Sequence, residues 1–494
     1  MRSTIGTKSN LLRRDDLLNK LTYWLILFLV VFIPFEDFLL KFLPVPDKIY
    51  FYARFLSEGI IYALFATVSV HKLIKRIPLV KTPLDTPIII FIQIVLLSMI
   101  VNDAAKFATL VTVRPIIRYV LLFYLVVNVN VTLAQTSKIL RYCIYTGAGQ
   151  VLIGILQFAT RGAIDGILLP RASDLDIGGV TKNFVVLEGR EIGSIYGAAG
   201  DTILLGLFLV LYLVMVASKL YISNHEIVQH DRFYVEEGSL KKKNIVLIAL
   251  VTGTLIAIGL TYVRACMFVS LIILVAYTSL KFYSRKRVAI IVIVVSLLIP
   301  TISIGVDYVS DLFAVEYSGN ARREEQSVMD NLTGIFTSEY IEVARKQRLG
   351  ALTDIPLTIV ANRPFLGYGP DQLKSIDSLN DSPISFLNKE WKQEGFKDVY
   401  WVSTMTFYGL AGLFTLIWAF QRLYTWSKTI YSRTRIKVIK EIALATLAIT
   451  ITTIFLSFFY RVIEFRIYSL YFWLFPALMF NLYSKEKASL RKLK

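Results

Sequence analysis

NIVLIALVTGTLIAIGLTYVRACMFVSLIILVAYTSL, residues 244–280, is the stretch on which the fold turns. Two apolar runs, 244–262 and 265–280, meet at a short hairpin that carries one arginine, Arg264. A bilayer core about 30 Å thick is crossed by roughly 20 apolar residues, and in lipid a helix satisfies its own backbone hydrogen bonds. The pair therefore predicts two membrane-spanning helices in antiparallel array. Lys241, Lys242 and Lys243 precede it, and Lys281, Arg285, Lys286 and Arg287 follow it. Loops rich in basic residues are retained in the cytoplasm, so both open ends belong inside and Arg264 belongs outside.

The same pattern recurs along the chain at 21–43, 49–70, 84–101, 110–128, 139–159, 192–217, 288–306, 399–420, 442–461 and 465–482. Together these stretches predict an all-α polytopic integral membrane protein of about 12 spans. Composition agrees: of 494 residues 55% are hydrophobic, and the mean hydropathy is +0.59. Lys and Arg exceed Asp and Glu by 54 − 36 = 18. That excess lies in short clusters between apolar runs, which points to topology and anionic membrane lipids and away from nucleic acid. Basic clusters fall at 71–81, 138–141, 219–243, 281–287 and 422–440 and in both tails. The expected order is a cytoplasmic tail (1–20), spans 1–9 (21–306), a large extracytoplasmic loop (307–398), spans 10–12 (399–483) and a cytoplasmic tail (484–494).

The N-terminal residues are polar and basic, without the pattern of a removable signal peptide. Leu11, Leu12, Leu17, Leu18 and Leu21 suit one face of an interfacial helix, and a disordered tail suits Arg13, Arg14, Asp15 and Asp16 equally well. In the large loop, Tyr340, Ile341, Ala344, Leu352, Ile355 and Ile359 recur at helical spacing, so amphipathic helices are expected over the membrane face, the last stopped by Pro364.

Charged side chains in a span cost about 2.5–3.5 kcal/mol each, so their placement is informative. They gather at the outer ends: Glu36 and Asp37, Arg54 and Glu58, Arg114 and Arg118, Arg264, then Arg461, Glu464 and Arg466. One reading is a basic cavity for a phosphate or diphosphate, because arginine offers bidentate donors and keeps its charge. The other is internal neutralisation, Arg54 with Glu58, Arg461 with Glu464, and Arg114 or Arg118 with Asp37. Neutralisation is favoured for the pairs that contain an acid. Arg114, Arg118 and Arg264 have no acid nearby in sequence and are expected to remain available for an anion. A second feature is NRPFLGYGPDQL, 362–373, in which Gly367 and Gly369 permit a tight turn with exposed N–H groups and Arg363 adds charge; a rigid turn between helices explains it as well.

No metal or cofactor pattern is present. The histidines His71, His225 and His230 fall in cytoplasmic segments, and Cys143 and Cys266 lie near opposite membrane surfaces. An external base would then be a carboxylate such as Glu36, Glu58, Glu191, Asp398 or Glu464, or the substrate's own phosphate. Tyr368, Phe386, Trp391, Tyr400 and Trp401 offer faces for sugar rings or an interfacial belt.

Four pieces, in order, resemble the O-antigen polymerase and ligase family of bacterial polysaccharide assembly: GSIYGAAGDTILLGLFL (193–209), LTYVRACMFVSL (260–271), NRPFLGYGP (362–370) and FYGLAGLF (407–414). The resemblance implies a metal-independent, inverting glycosyltransferase of GT-C-like architecture in the bacterial inner membrane, acting on undecaprenyl-diphosphate-linked oligosaccharide. It leaves room for a chain-length regulator protein as partner. Arg264 matches the family's turn arginine, which implies contact with the lipid diphosphate, and Arg363 belongs to the loop signature. Ligases of the family carry a histidine shortly before the final glycine motif, where this chain has Asp398, which tilts the expectation towards a polymerase. The expected substrate-contacting arginines are Arg264, then Arg114 and Arg118, then Arg461 and Arg466, with Glu58 or Asp398 acting on the acceptor hydroxyl. A ligase acting on lipid A core or protein is the nearest rival. A flippase of lipid-linked sugars is a second, although Gln93, Gln150, Gln157 and Asp201 are among few polar residues near midspan.

Overall fold

The computed structural model describes residues 2–42, 46–160, 163–168, 195–230, 242–281, 350–386 and 399–492, and it contains no strand among them. Its helices are α1 (Arg2–Phe32), α2 (Glu36–Leu40), α3 (Asp47–Ile74), α4 (Asp85–Val101), α5 (Lys106–Asn128), α6 (Leu133–Ala159), α7 (Asp165–Leu168), α8 (Thr202–His230), α9 (Lys242–Leu260), α10 (Arg264–Lys281), α11 (Gly350–Asn362), α12 (Gln372–Asn380), α13 (Tyr400–Arg433), α14 (Lys437–Leu456) and α15 (Arg466–Lys492). Among the described residues six segments are long and apolar enough to cross a membrane: Leu17–Leu40, Lys106–Asn128, Leu133–Ala159, Thr202–Ser223, Tyr400–Arg433 and Lys437–Leu456. The chain is thus a helical membrane protein. The expected stretches 49–70, 84–101, 244–262, 265–280 and 465–482 also lie largely on helices, shorter ones or ones with more polar residues. The expected span 288–306 lies outside the described residues.

At the centre stands α8. From Leu205 to Val216 it is buried on every face, the mark of a helix enclosed by others. It packs against α6, α9, α10, α14 and α15, while α5 lies along both α3 and α15. The bundle is closed at one end by the turn after α5. There Asn481 Nδ2 donates to the carbonyls of Val126 and Val129 at 2.7 and 2.6 Å, and Lys485 Nζ donates to that of Val131 at 2.5 Å. These donors take up carbonyls at a helix end that have no partner within the helix.

Three boundaries differ from the sequence reading, each for a local reason. The sixth span was expected from residue 192, yet α8 begins at Thr202, and Gly197 and Gly200 before it have φ of 54° and 79°. Gln157 Oε1 accepts from the N–H groups of Tyr196 and Gly197 at 3.0 and 2.9 Å, and Gln150 Oε1 accepts from Ala198 at 3.1 Å. Asp201 caps α8 through Ile203 N and Leu204 N at 2.7 and 3.0 Å. Three of the four polar residues noted near midspan therefore serve unwound backbone, which lipid would leave unsatisfied. Secondly, α13 continues to Arg433, so much of the basic stretch 422–440 is helix and not loop. Thirdly, α14 stops at Leu456 and yields to turns and a 3₁₀ segment, Val462–Glu464. At the N-terminus α1 runs unbroken from Arg2 into the first span.

The segment after residue 350 is threaded into the bundle. In α11, which ends two residues before Pro364, Ile355 and Ile359 are buried against α13. The next turn enters a break in α13 at Gly409, whose φ is 64° and ψ −164°. Tyr368 N and Gly369 N donate to the carbonyls of Thr406 and Phe407 at 2.7 and 3.2 Å, and Leu410 N and Ala411 N donate to those of Pro364 and Phe365 at 2.7 and 3.2 Å. Ser98 Oγ of α4 lies 2.8 Å from the Leu366 carbonyl and 2.7 Å from that of Phe407.

Candidate functional site

The charged residues expected at the outer helix ends converge, although Arg118 lies midway along α5. α3 supplies Glu58, α5 supplies Arg114 and Arg118, α2 opens on Glu36, Arg461 and Glu464 occupy the turn between α14 and α15, and Arg466 begins α15. Glu58 is 58 − 47 = 11 residues into α3 and Arg118 is 118 − 106 = 12 residues into α5. At a rise of about 1.5 Å per residue both lie roughly 16–18 Å from the starts of their helices, at matching depth.

Glu58 is the hub. Only 3% of its side chain is exposed; Oε1 receives Arg118 Nη1 at 3.0 Å and has Arg466 Nε at 3.8 Å, while Oε2 has Arg114 Nη1 at 3.8 Å. The Tyr62 hydroxyl donates to Oε2 at 3.5 Å. Arg466 also pairs with Glu36 Oε2 at 2.8 Å and donates to Ser57 Oγ at 2.7 Å. Arg118 Nη2 donates to the Glu464 carbonyl. Arg461 grips Glu464 Oε1 through Nε at 2.7 Å and Nη2 at 2.6 Å, with its guanidinium 5.7 Å from the centre of the Phe407 ring.

This geometry corrects three expectations. Arg114 and Arg118 do have an acidic partner, Glu58, which comes from another helix and so was hidden by sequence distance. Glu58, expected to act on the acceptor hydroxyl, instead sits inside an ion-pair network, with Oε1 hydrogen-bonded to Arg118 and Oε2 3.8 Å from Arg114. Gly367 and Gly369 do not present N–H groups to a ligand: those donors go to the carbonyls of Arg363 and Phe407. Their φ of 63° and 100° instead answers a packing need, since a Cβ on Gly367 would stand 2.3 Å from the Thr406 carbonyl oxygen.

The other expected residues lie elsewhere. Arg264 begins α10, after the turn that follows Leu260. Arg363 donates to Asn102 Oδ1, lies over the Tyr368 ring at 5.4 Å, and lines an open groove of about 830 Å³ with Lys374, Asp371 and Asp377. Asp398, Glu191, Trp391 and the Arg54 side chain lie outside the described residues. Sequence reasoning missed Ser57, Tyr62, Ser98 and Asn102; the spacing of Ser98 and Asn102, one turn apart at the end of an apolar helix, was the available signal.

Charge and hydrogen bonding in the network differ. Asp37 also acts electrostatically on Arg466, so with Glu36, Glu58 and Glu464 four acids balance four arginines. Yet among the described residues the buried Nε–H groups of Arg114, Arg118 and Arg466 have no hydrogen-bond acceptor, and neither do the hydroxyls of Tyr119 and Tyr408. Arg114 is the least satisfied arginine. It makes no hydrogen bond to a described residue, stacks 4.5 Å from the centre of the Phe55 ring, and its side chain, 19% exposed, is the most open of the four. Among the described residues the formal charges balance, and Arg114 is the arginine with most donor capacity left over. Burial pushes the Glu464 carboxyl above the usual carboxylate range, and Arg461, with Arg118, opposes the shift. Among the described residues no group of His, Cys, Asp and Glu forms a metal site. The chain matches no protein-family model, and no curated protein matches it.

Proposed function

We propose that this chain is a repeat-unit polymerase of the outer face of a bacterial plasma membrane, with about 12 spans, both termini cytoplasmic and a GT-C-like architecture. It moves a glycan from undecaprenyl diphosphate onto the terminal sugar of a lipid-linked acceptor. The single observation that carries this reading is the open, hydrogen-bond-poor guanidinium of Arg114 beside three further arginines. Donors fixed where negative charge develops stabilise a departing diphosphate without reorganising during the reaction.

The four sequence pieces that resemble O-antigen polymerases and ligases add support, because their described parts interlock in two pairs. The turn of NRPFLGYGP enters the break in FYGLAGLF. Ile195 N, in the first piece, donates to the Leu260 carbonyl at 3.0 Å, and a Cβ on Gly206 would meet Cys266 Sγ at 3.1 Å. α14 packs against α8, α10 and α13, joining the two pairs.

The test uses the purified chain in liposomes with lipid-linked oligosaccharide extracted from cells that lack it. A ladder of lengthening glycans is expected. Arg114→Ala is expected to slow its growth by about 10²–10³-fold, the usual loss on removing one such donor. A ladder that grows equally fast in the variant removes Arg114 from the reaction; a single transfer to lipid A core in place of a ladder makes the protein a ligase.

A further inference from the structure

Every polymerising transfer must also dispose of the proton on the acceptor hydroxyl, and the carboxylates of the network differ in their capacity to take it. Glu58 has both oxygens turned to arginines. Glu36 gives Oε2 to Arg466, and its Oε1 is sealed from solvent, as is Asp37 Oδ1. Glu464 is different. Arg461 holds Oε1 from two nitrogens, Oε2 has no hydrogen bond to a described residue, and the side chain is 16% exposed.

Its backbone is fixed as well. The 3₁₀ turn Val462–Glu464 is pinned by Arg118 on the Glu464 carbonyl, and two residues on Arg466 is tied to Glu36 and Ser57. A carboxylate with one oxygen clamped and the other uncommitted has a defined direction in which to accept a proton.

Resting on the polymerase reading, we infer that Glu464 is the catalytic base, its Oε2 accepting the proton of the acceptor sugar hydroxyl, with Arg461 as its positioning residue. The hydroxyl oxygen forms a bond to the anomeric carbon of the donor glycan. The bond from that carbon to the diphosphate oxygen breaks, and its electron pair leaves with undecaprenyl diphosphate. The hydroxyl proton moves to Glu464 Oε2, from which water removes it before the next cycle. Burial supports the assignment by holding the carboxyl above its ordinary range, nearer to neutrality, where a base is most effective. The charged and titratable groups around it are Arg461 on its own turn, Arg118 from α5, and Tyr400 and Tyr408 from α13.

The experiment measures single-turnover transfer by the full chain in liposomes, with extracted lipid-linked oligosaccharide, from about pH 5 to about pH 9. The wild-type rate should fall on the acidic side as the carboxyl is protonated. Glu464→Gln should lose about 10²–10⁴-fold in rate, the range for general-base catalysis, and lose the acidic limb with it. Glu464→Asp, which keeps the base but shortens its reach, should retain a slowed rate and an acidic limb at a shifted pH. Glu464→Gln running at the wild-type rate, or Glu464→Asp with an unchanged rate and profile, overturns the assignment while wild-type polymer still supports the polymerase. A wild-type chain that forms no polymer overturns both.

Discussion

Alanine at Gly409 tests the joint between the loop turn and α13. Two effects act together. The φ of 64° with ψ −164° falls in a region that is essentially glycine-only, and holding another residue there costs about 1–3 kcal/mol. A Cβ at this position would also stand 2.3 Å from the Phe365 carbonyl oxygen, 2.4 Å from its carbon and 2.6 Å from Leu366 N. All three are backbone atoms and cannot swing aside, so one of the two segments must shift, at about 1–3 kcal/mol for overpacking of this kind. The expected loss is therefore about 2–6 kcal/mol. Gly259→Ala in α9 is the control: a Cβ there has no atom within 4 Å, and Ala for Gly inside a helix changes stability by about 1 kcal/mol or less, in the favourable direction. Unfolding of the purified protein in one detergent can be followed by labelling of Cys143 and Cys266, both buried free thiols. Gly409→Ala should expose them at a clearly lower denaturant concentration than Gly259→Ala. Equal midpoints would refute the claim that the two backbones interlock.

Glu58→Gln should destabilise the same end of the bundle by about 3–5 kcal/mol, the usual loss when one partner of a buried charge network is removed, read by the same thiol labelling. Lys485, beyond the last expected span, provides the pH dependence: burial lowers its ammonium from its ordinary 10.5 to about 8. The folded state then favours the neutral amine, so the group's contribution is fully present above its unfolded value near 10.5 and is lost as pH falls through about 8. Stability should rise across that window, and Lys485→Met should flatten the rise; parallel curves for the two proteins would count against it.

The helices were legible because hydropathy is a local property. Runs such as 110–128 and 139–159 state their own length, and α5 and α6 contain them. Where the chain leaves the helix inside an apolar run, local pattern fails. Residues 195–201 continue directly into an apolar run, and Gln150 and Gln157, some 40 residues earlier, satisfy their unwound backbone. The partners of the arginines were illegible for the same reason: Arg118 and Glu58 are 60 residues apart, and Arg118 and Glu464 are separated by 346. Arg461 and Glu464, three residues apart, were paired correctly from sequence because a single turn brings them together.

The network is not explained by stability alone. Taking two charges out of water costs several kcal/mol per ion, and well-packed apolar residues in place of a buried ion pair are often neutral or stabilising by 1–4 kcal/mol. Arg118, Glu58 and Glu36 are buried almost completely, yet three guanidinium Nε–H groups in this cluster lack an acceptor. A network selected only to hold α3, α5 and α15 together would be expected to satisfy those donors, since each left unmet costs about 1–3 kcal/mol. The shortfall is uneven: Arg118 and Arg466 make direct hydrogen bonds, whereas Arg114 makes none to a described residue. In the proposed reading the first two form the fixed wall of the site and Arg114 its working face, which is why the proposal places the anion at this end of the bundle and at that residue first.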